Sequence, residues 1–466
     1  MVGTKHPWRT ATLAGALLAC SSLVIAAEPT KPTFSKDVAP ILQAKCVNCH
    51  EPGSIAPMSL RTFEEVRPFA RSIKQRVAAH QMPPWHINKA VGIQKFKNDI
   101  SLTDAQVQTI VDWVDQGAVE GNKADLPPLK PVTTTLYWQG ERDGYGPPDL
   151  IVASPEYEMP AFGQDQWWRP TVDIQGLTEP RWVRMVEIRP TNIQGRKILH
   201  HSIAHVVMDP NDPDVDSVNR GIGGRGGDQP TDPAAIAAAA VNSRPTLMEW
   251  AIGKGYDRYA DDTGKLIKPG QRIQWDQHVH AAGEAVTAGS ELGIWLYPKG
   301  QEPKHRTYLV GFTGLKNGQG GLDIPPNSIS YTEGFTVLRE NTVITNFQPH
   351  FHLRGKAMQV EAILPTGETQ IVSYVDNFNF NWMTNYIYAE DVQPAFPKGT
   401  IIHVTAYYDN TKGNKNNPDP DQWVGYGDRT VDEMAHAWMN VFYLSDAEYQ
   451  AWQADHKKPA QTQNQQ

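Results

Sequence analysis

The sequence has very few cysteines, which limits how the chain can be cross-linked. Only Cys20, Cys46 and Cys49 occur among 466 residues. Cys20 lies in an N-terminal segment that we expect to be removed or lipidated, and the other two belong to one short Cys-x-x-Cys motif. The pattern therefore excludes a disulfide framework, and the stability of the chain has to come from buried cores.

The sequence also lacks clustered basic residues and, after about its first thirty residues, any long apolar run. No later run reaches the ~20 apolar residues of a membrane-spanning helix, so we expect no transmembrane segment in the mature chain. The formal net charge is −8, which argues against nucleic acid as a partner. No repeat of fixed period is found, and the length predicts two or three domains.

The first 27 residues are typical of a secretory signal peptide. Lys5 and Arg9 precede an apolar run, residues 11–27, that ends in small residues near Ala26. This order predicts export to the periplasm and cleavage near residue 27. Residues 17–20 form an alternative lipoprotein processing site, at which Cys20 would carry the lipid.

Residues 46–50 read Cys-Val-Asn-Cys-His. Two thiols at this spacing, followed directly by a histidine, form the attachment motif of a c-type haem. We expect Cys46 and Cys49 each to bond one haem vinyl group and His50 to bind the iron. A structural or redox Cys-x-x-Cys is the alternative, but the histidine that follows fits neither zinc sites nor thioredoxin-type sites.

Residues 28–125 read as a small helical domain around this motif. Ser35 is expected to cap a first short helix that leads to Cys46, and a second helix is expected at residues 63–80. Thr103 and Gln106 form a capping box for a third helix, which Gly117 ends. Helix, haem motif, loop and helix in this order resemble a class I-like cytochrome c.

The sixth ligand of the haem iron is expected at Met82. Two prolines follow this methionine, and their fixed φ angles suit a rigidly held ligand. A thioether ligand raises the haem potential, as in electron-relay cytochromes. Met58, His80 and His86 are the alternatives.

The pattern changes after a proline-rich linker, residues 126–146. Short alternating apolar segments follow, such as Leu292, Ile294 and Leu296, and Pro, Gly, Asn and Asp separate them. This spacing predicts antiparallel sandwiches, and the length suggests two, at residues 147–327 and 328–450. Residues 451–466 read as a disordered tail. The predicted fold is multidomain: a small all-α cytochrome c domain followed by two tandem all-β, jelly-roll-like antiparallel sandwiches.

Three close histidine groups follow the linker: His200-His201, His278-Val279-His280 and His350-Phe351-His352. Residues i and i+2 of a strand point to the same side, so the imidazoles of such a pair can reach one metal ion. Adjacent histidines need a local irregularity to do the same, and His205 is an alternative to His200 because it shares a strand face with His201. Imidazole suits copper, zinc, iron and nickel, whereas a thioether favours Cu(I).

These groups, together with Asp432-Glu433-Met434, resemble in their order the copper type II, ascorbate-dependent monooxygenases. That family includes peptidylglycine α-hydroxylating monooxygenase and dopamine β-monooxygenase, and the resemblance covers roughly residues 147–450. It implies two copper ions that exchange electrons across solvent without a direct bridge. By motif position, one ion is held by His200, His201 and His280, and the other, where O₂ reacts beside the substrate, by His350, His352 and Met434.

The chain departs from that family in several respects. His205, His278 and His436 are additional histidines near the implied ligands and can replace or supplement them. The disulfides of the family cannot form here, and its substrate-binding residues are not recognisable.

Taken with the haem motif, the sequence predicts an exported copper-dependent monooxygenase that hydroxylates a C–H bond of a small molecule or peptide with O₂. Haem c and two copper ions are the expected cofactors, and an external electron donor reduces the haem. One alternative is a periplasmic electron-transfer or copper-handling cytochrome without hydroxylase activity. Another is an oxidase or dehydrogenase that sends electrons outward through the haem.

Overall fold

The computed structural model describes residues 3, 31–52, 56–129, 136–207, 245–251, 253–315 and 322–456. Four predicted features lie outside these residues: the signal peptide (except Gly3), the lipidation site Cys20, part of the linker and the end of the tail. Strands make up 37% and helices 18% of the structure. The chain is therefore mostly β-sheet, arranged in several sheets, as the alternating pattern predicts. Among the described residues, no helix combines the length and apolar character needed to cross a membrane.

The helices of the described residues are short, and most precede residue 126. They are α1 Ala39–Lys45, α2 Phe63–Val66, α3 Ala70–Ala78, α4 Asp104–Asp115 and, near the end of the chain, α5 Asp446–Asp455. Single π or 3₁₀ turns lie at Phe34–Val38, Arg67–Phe69, Lys123–Asp125, Glu141–Tyr145, Gln194–Lys197 and Glu390–Val392. Helices α1 to α4 share a core that includes Phe34, Leu42, Ile110 and Trp113.

Of the three predicted helices, one is confirmed in its bounds and two are corrected. The Thr103 capping box begins α4 as predicted, and the helix ends before Gly117, whose φ is +97°. Thr33, and not Ser35, caps the π turn Phe34–Val38 that leads into α1, and its side chain accepts a hydrogen bond from the N–H of Lys36. The second predicted helix is interrupted by the 3₁₀ turn Arg67–Phe69, because Pro68 lacks the N–H that a continuous helix needs.

Residues 150–296, here called the first β region, contain twelve strands in the part that the structure describes. They are β1 Leu150–Ala153, β2 Tyr157–Met159, β3 Gln166–Trp168, β4 Thr171–Asp173, β5 Arg181–Pro190, β6 Leu199–Val207, β7 Thr246–Ala251, β8 Tyr256–Arg258, β9 Thr263–Ile267, β10 Arg272–Val279, β11 Val286–Ala288 and β12 Ser290–Leu296. One sheet has the order β3-β10-β6-β7, and another begins β1-β12-β5-β9. A shared core that includes Val186, Ala204, Trp275 and Ile294 lies between them.

Residues 305–444, here called the second β region, contain twelve further strands among the described residues. They are β13 His305–Thr313, β14 Asp323–Ile324, β15 Ile329–Val337, β16 Asn341–Ile344, β17 Asn346–His350, β18 Gly355–Ile363, β19 Thr369–Val375, β20 Tyr386–Ile387, β21 Ala395–Phe396, β22 Ile401–Asp409, β23 Val424–Gly425 and β24 His436–Leu444. The sheet β15-β22-β18-β19 and the strands around β24 enclose a core that includes Phe347, Met358 and Val404.

The two β regions are joined by a continuous sheet. Strand β13 pairs in parallel with β9 of the first region and antiparallel, over Thr307–Thr313, with β24 of the second. Its long pairing with β24 places β13 with residues 341–444, although the strand lies before the predicted domain boundary at residue 327. The sheet fixes the relative position of the histidines that each region carries.

Residues 85–98, between α3 and α4, pack against the second β region. Trp85 and Ile87 are buried in its core, and Ile87 and Phe96 form isolated bridges with Val375 and Tyr388. The segment that precedes the linker is thus attached to the sheets by more than the linker itself.

Candidate metal centre

A β-bulge in β6 brings the adjacent His200 and His201 to one place. His201 pairs with His278 of β10, and the next registered pair is Leu199 with Val279, so His200 is the extra residue. The bulge supplies the local irregularity that two neighbouring histidines need if they are to face the same site. Ring centroids of His200 and His201 lie 5.6 Å apart.

His278 completes a close three-histidine group with these two residues. One ring nitrogen from each of His200, His201 and His278 lies within 4.8 Å of the other two, among the residues that the structure describes. The His278 ring centroid is 5.1 Å from that of His200 and 4.9 Å from that of His201. We call this set the first histidine group.

His280, the third ligand implied by the resemblance, lies further out. Its ring centroid is 6.3 Å from that of His200. Strand β10 ends at Val279, so His280 is already outside the regular strand and the rule that i and i+2 share a face does not apply to the pair. His205 shares the partly buried face of β6 with His201, as predicted, but its Nδ1 lies 3.0 Å from Thr246 Oγ1 and it is outside the group.

His350, His352 and His436 form the second histidine group, in the second β region. His350 ends β17 and pairs with His436 of β24. The ring centroid of His350 lies 5.7 Å from that of His352 and 6.3 Å from that of His436. His352 follows the strand end, and its Nδ1–H donates to the carbonyl oxygen of Asp432 over 3.1 Å, which leaves Nε2 as the nitrogen available to a metal.

Met434 is held beside His352 through the buried carboxylate of Glu433. Oε2 of Glu433 accepts the backbone N–H of His352 over 2.9 Å and that of Met434 over 3.2 Å. The same carboxylate accepts the N–H of Arg354 through Oε1. Burial nevertheless raises the pKa of Glu433 to about 7. One side chain therefore fixes the backbone of two residues that the resemblance assigns to the same copper ion.

The two histidine groups meet between the β regions. The ring centroids of His201 and His350 are 6.2 Å apart with nearly perpendicular planes, an edge-to-face contact distance that leaves no water layer between these two rings. The resemblance implies two sites separated by solvent, and the structure differs from it here. Phe380 of the second region also stacks on His200 at 4.8 Å.

Five histidines of the two groups each have one buried ring nitrogen without a hydrogen-bond partner within the described part of the chain. The atoms are His200 Nε2, His201 Nδ1, His278 Nδ1, His350 Nδ1 and His352 Nε2. Buried polar atoms are normally satisfied, so several orphaned nitrogens that converge on one region call for an explanation. Metal coordination satisfies them, and the donor set fits copper, zinc, iron or nickel.

The electrostatics of the site keep these imidazoles in the form that binds metals. Burial, followed by repulsion from neighbouring imidazoles, holds the pKa values of His200, His201 and His350 well below the ordinary value. Burial lowers the pKa of His352 to about 4. These rings are therefore neutral at pH 7, and a neutral imidazole offers a lone pair to a metal ion.

Asp165 orients His278 and connects the two β regions. Its Oδ2 accepts a hydrogen bond from His278 Nε2–H and another from Thr430 Oγ1, each over 2.9 Å. The bond from His278 is the main cause that lowers the pKa of Asp165 to about 2. Trp167 stacks on the His278 ring, with ring centroids 4.7 Å apart. A carboxylate that fixes one ring nitrogen leaves the opposite nitrogen directed at the metal position.

The haem-attachment motif also has a geometry that fits its expected cofactor. Cys46 and Cys49 are free thiols on a tight turn in which the N–H groups of Cys49 and His50 donate to the carbonyl oxygen of Cys46. His50 Nδ1–H donates to the carbonyl oxygen of Met58 over 3.1 Å, which leaves Nε2 for the iron. Met82 follows α3 and is half-buried, while Met58 packs against the helical core beside Cys46.

The sequence pattern does not identify two residues that position the histidines, Asp165 and Glu433. Asp165 is 113 positions from His278 and carries no local motif, so only the fold reveals the contact. Glu433 lies inside the Asp-Glu-Met motif, but the sequence does not show that its carboxylate turns toward the residues after β17.

Comparisons with known proteins add no functional argument. No protein-family model matches the sequence, and no curated protein matches it. Weakly similar solved structures include a putative alpha-L-fucosidase from Bacteroides ovatus, at 6% identity over 72% of this chain and 42% of that chain, with a TM-score of 0.15. They also include the major capsid protein P2 of bacteriophage PM2, at 9% identity over 60% and 99% of the two chains, with a TM-score of 0.20. The geometry of the site is therefore the basis for the function.

Proposed function

We propose that the chain is an exported, periplasmic copper-dependent monooxygenase that hydroxylates an organic C–H bond with O₂. In this proposal residues 28–125 form a cytochrome c domain, an external donor reduces its haem, and the two β regions are tandem antiparallel sandwiches. The observation that carries the proposal is the convergence of two histidine groups from two β regions, with orphaned ring nitrogens, on a chain that also has a haem-attachment motif.

We assign the first copper ion to His200, His201 and His278, with His278 in place of the expected His280. The second ion is assigned to His350, His352 and Met434. Copper at these groups would supply one-electron chemistry and O₂ activation, and a covalent haem would supply the electrons singly. The chain itself keeps the imidazoles of His200, His201, His350 and His352 neutral by burial. It also orients His278 through Asp165 and holds the backbone of His352 and Met434 through Glu433.

Met82 remains the proposed sixth ligand of the haem iron. The carbonyl oxygen of Met58 accepts the Nδ1–H of His50, so the backbone of Met58 would help to orient His50 toward the iron. We therefore assign Met58, the main alternative, to the orientation of His50 and Met82 to the sixth ligand position.

The test is O₂ consumption by protein loaded with haem and copper after its haem has been reduced. We expect wild-type protein to consume O₂ and His350→Ala to lose this activity, with ¹⁸O from ¹⁸O₂ appearing in the product of any substrate found. His403→Ala is the matched control, because His403 bonds Glu333 and Glu361 outside both histidine groups. Reduced, copper-loaded wild-type protein that consumes no O₂ would refute the proposal.

A copper-handling protein without hydroxylase activity is a second candidate. The observation that favours it is the surplus of imidazoles, since His280 and His436 lie next to the assigned ligands. Copper titration distinguishes the two functions: more than two tightly bound ions per chain, together with no O₂ consumption, would support copper handling.

A further inference from the structure

The haem-attachment loop, residues 46–51, is docked on the segment that leads into the first β region. Arg142 donates to Glu51 Oε1 over 2.8 Å and to Asn48 Oδ1 over 3.1 Å. Tyr137 OH donates to the carbonyl oxygen of Asn48 over 3.2 Å, and the Arg142 guanidinium lies 4.4 Å from the Tyr137 ring centroid. The Glu51 side chain is only 2% exposed, so this ion pair is a buried contact.

The docking segment, residues 137–142, is itself fixed to the sheet of β5 and β12. The carboxylate of Glu187 accepts the N–H groups of Gln139 and Gly140 over 2.8 and 3.0 Å. Trp138 packs edge-on against Trp295, with ring centroids 6.0 Å apart. A Cβ on Gly140 would come within 2.3 Å of Met185 Cε, so the backbone is in close contact with the sheet. The attachment loop thus rests on a rigid support.

The sheet that supports the docking segment belongs to the same β region as the first histidine group. Glu187 lies on β5 and Trp295 on β12. Strand β5 shares a buried core with β6 and β10, which carry His200, His201 and His278. The attachment loop is therefore fixed to the β region that holds the first histidine group.

We propose that the contact of the attachment loop with residues 137–142 is a permanent electron-input interface for the first histidine group. This inference rests on the proposed function and specifies its electron donor as a part of the same chain. A haem bonded to Cys46 and Cys49 would be held at this interface by the docked loop. One electron leaves the ferrous haem, which becomes ferric, and converts one Cu(II) ion to Cu(I). No bond forms or breaks, and an external one-electron reductant restores the ferrous haem.

Arg142 is the positioning residue of this interface. It bonds Asn48, directly before Cys49, and Glu51, directly after His50, so one side chain holds the residues on both sides of the Cys49-His50 pair. A diffusing partner would have to find this orientation at each turnover, whereas the docked loop keeps it permanently. Loss of Arg142 leaves the buried Glu51 carboxylate unpaired, which favours separation of the loop from its support.

The experiment is anaerobic stopped-flow spectroscopy of haem-reduced protein that contains Cu(II). Loss of the ferrous haem band and loss of the Cu(II) electron paramagnetic resonance signal report the same electron. We expect Arg142→Gln to slow both by about tenfold or more, because truncating a buried, hydrogen-bonded charge pair weakens the contact. Covalent haem content and copper content should stay unchanged. Loss of the positive charge should also lower the haem midpoint potential, while Arg142→Lys should retain most of that potential.

Arg67→Gln is the matched control, because Arg67 is exposed and donates to the carbonyl oxygen of Gly117 away from the loop. If Arg142→Gln fails to fold, Tyr137→Phe removes only the hydroxyl that bonds Asn48, and a slower transfer in that variant is the expected result. Equal rates in wild-type and variant proteins, or a haem that stays ferrous beside Cu(II), would overturn the inference. Copper reduced directly by ascorbate that still consumes O₂ would then leave the proposed function intact.

Discussion

At the scale of single residues, the metal centre depends on side chains that bind no metal themselves. Asp165 and Glu433 each use one carboxylate to fix a histidine and a second part of the chain. The contacts of Asp165 cross from the first β region to the loop before Met434. Asp165 thus connects His278, through Thr430, to the loop that carries Met434.

Asp165→Ala is expected to lower the Cu(I) affinity of the first histidine group by about 10–100-fold, because His278 loses the carboxylate that orients its ring. Competition titration against a chromophoric Cu(I) chelator measures this affinity. Asp173→Ala, at an exposed position of β4, is the control and should bind copper like the wild-type protein. Unchanged affinity in Asp165→Ala would show that His278 is oriented by packing against Trp167 alone.

The sequence predicts the histidines of the site but not which of them share a metal. Spacing identifies three groups, yet the choice between His278 and His280 depends on where β10 ends. The end of a strand is set by tertiary pairing, here with Leu199 after the bulge, which no local pattern encodes. The need for an irregularity at His200 and His201 is predictable, because adjacent strand residues face opposite sides.

At the scale of elements, strand β5 carries a carboxyl group, that of Glu187, among its buried side chains. Glu187 is 3% exposed, and its carboxylate binds the backbone N–H groups of Gln139 and Gly140. Burial raises the pKa of Glu187 to about 7 although these hydrogen bonds lower it. The native state thus binds the proton of Glu187 more tightly than the unfolded chain does, and its contribution to stability is lost as the pH rises from about 4.5 through 7.

Glu187→Gln is expected to remove this pH dependence. Between pH 4.5 and pH 8 the unfolding free energy of the wild-type protein should fall by about 3 kcal/mol relative to that of the variant. Urea unfolding at several pH values in this range measures the difference. Glu368→Gln, in the exposed turn between β18 and β19, should follow the wild-type curve. Parallel curves for wild type and Glu187→Gln would contradict the assignment.

The sequence predicts elements correctly where the signal is local. It fails where an element depends on pairing between distant strands. The capping box at Thr103 and the hairpin of β18 and β19 are complete in the sequence. The pairing of β13 with β24 joins residues more than 120 positions apart, and alternation alone does not identify the partner of a strand.

At the scale of the whole molecule, the helical segment touches both β regions. The attachment loop contacts, through Arg142, the docking segment that Glu187 fixes to the first β region. Residues 85–98 contact the second β region through Trp85 and Ile87. Two contacts at different places restrict the helical segment more than the linker alone does. This arrangement favours a fixed distance between the haem motif and the histidine groups.

Trp85→Ala is expected to destabilise the protein by about 3–5 kcal/mol, because it empties a buried position in the second core. Trp85 is 7% exposed and packs edge-on against Tyr386 and Phe96, with ring centroids 4.7 and 5.4 Å away. Urea unfolding measures the loss of stability. Hydrogen exchange should also become faster in residues 85–98, since their anchor is gone, while the attachment loop, which is held separately by Arg142, should keep its protection.

Trp423→Ala is the matched control for this last prediction, because the Trp423 side chain is 60% exposed and its removal opens no cavity. It should change the unfolding free energy by less than about 0.5 kcal/mol. If Trp85→Ala released the attachment loop as well, the two contacts of the helical segment would form one cooperative unit, and the haem motif would depend on the second β region for its position. If neither segment exchanged faster, residues 85–98 would be held by backbone pairing with Val375 and Tyr388 and not by the tryptophan.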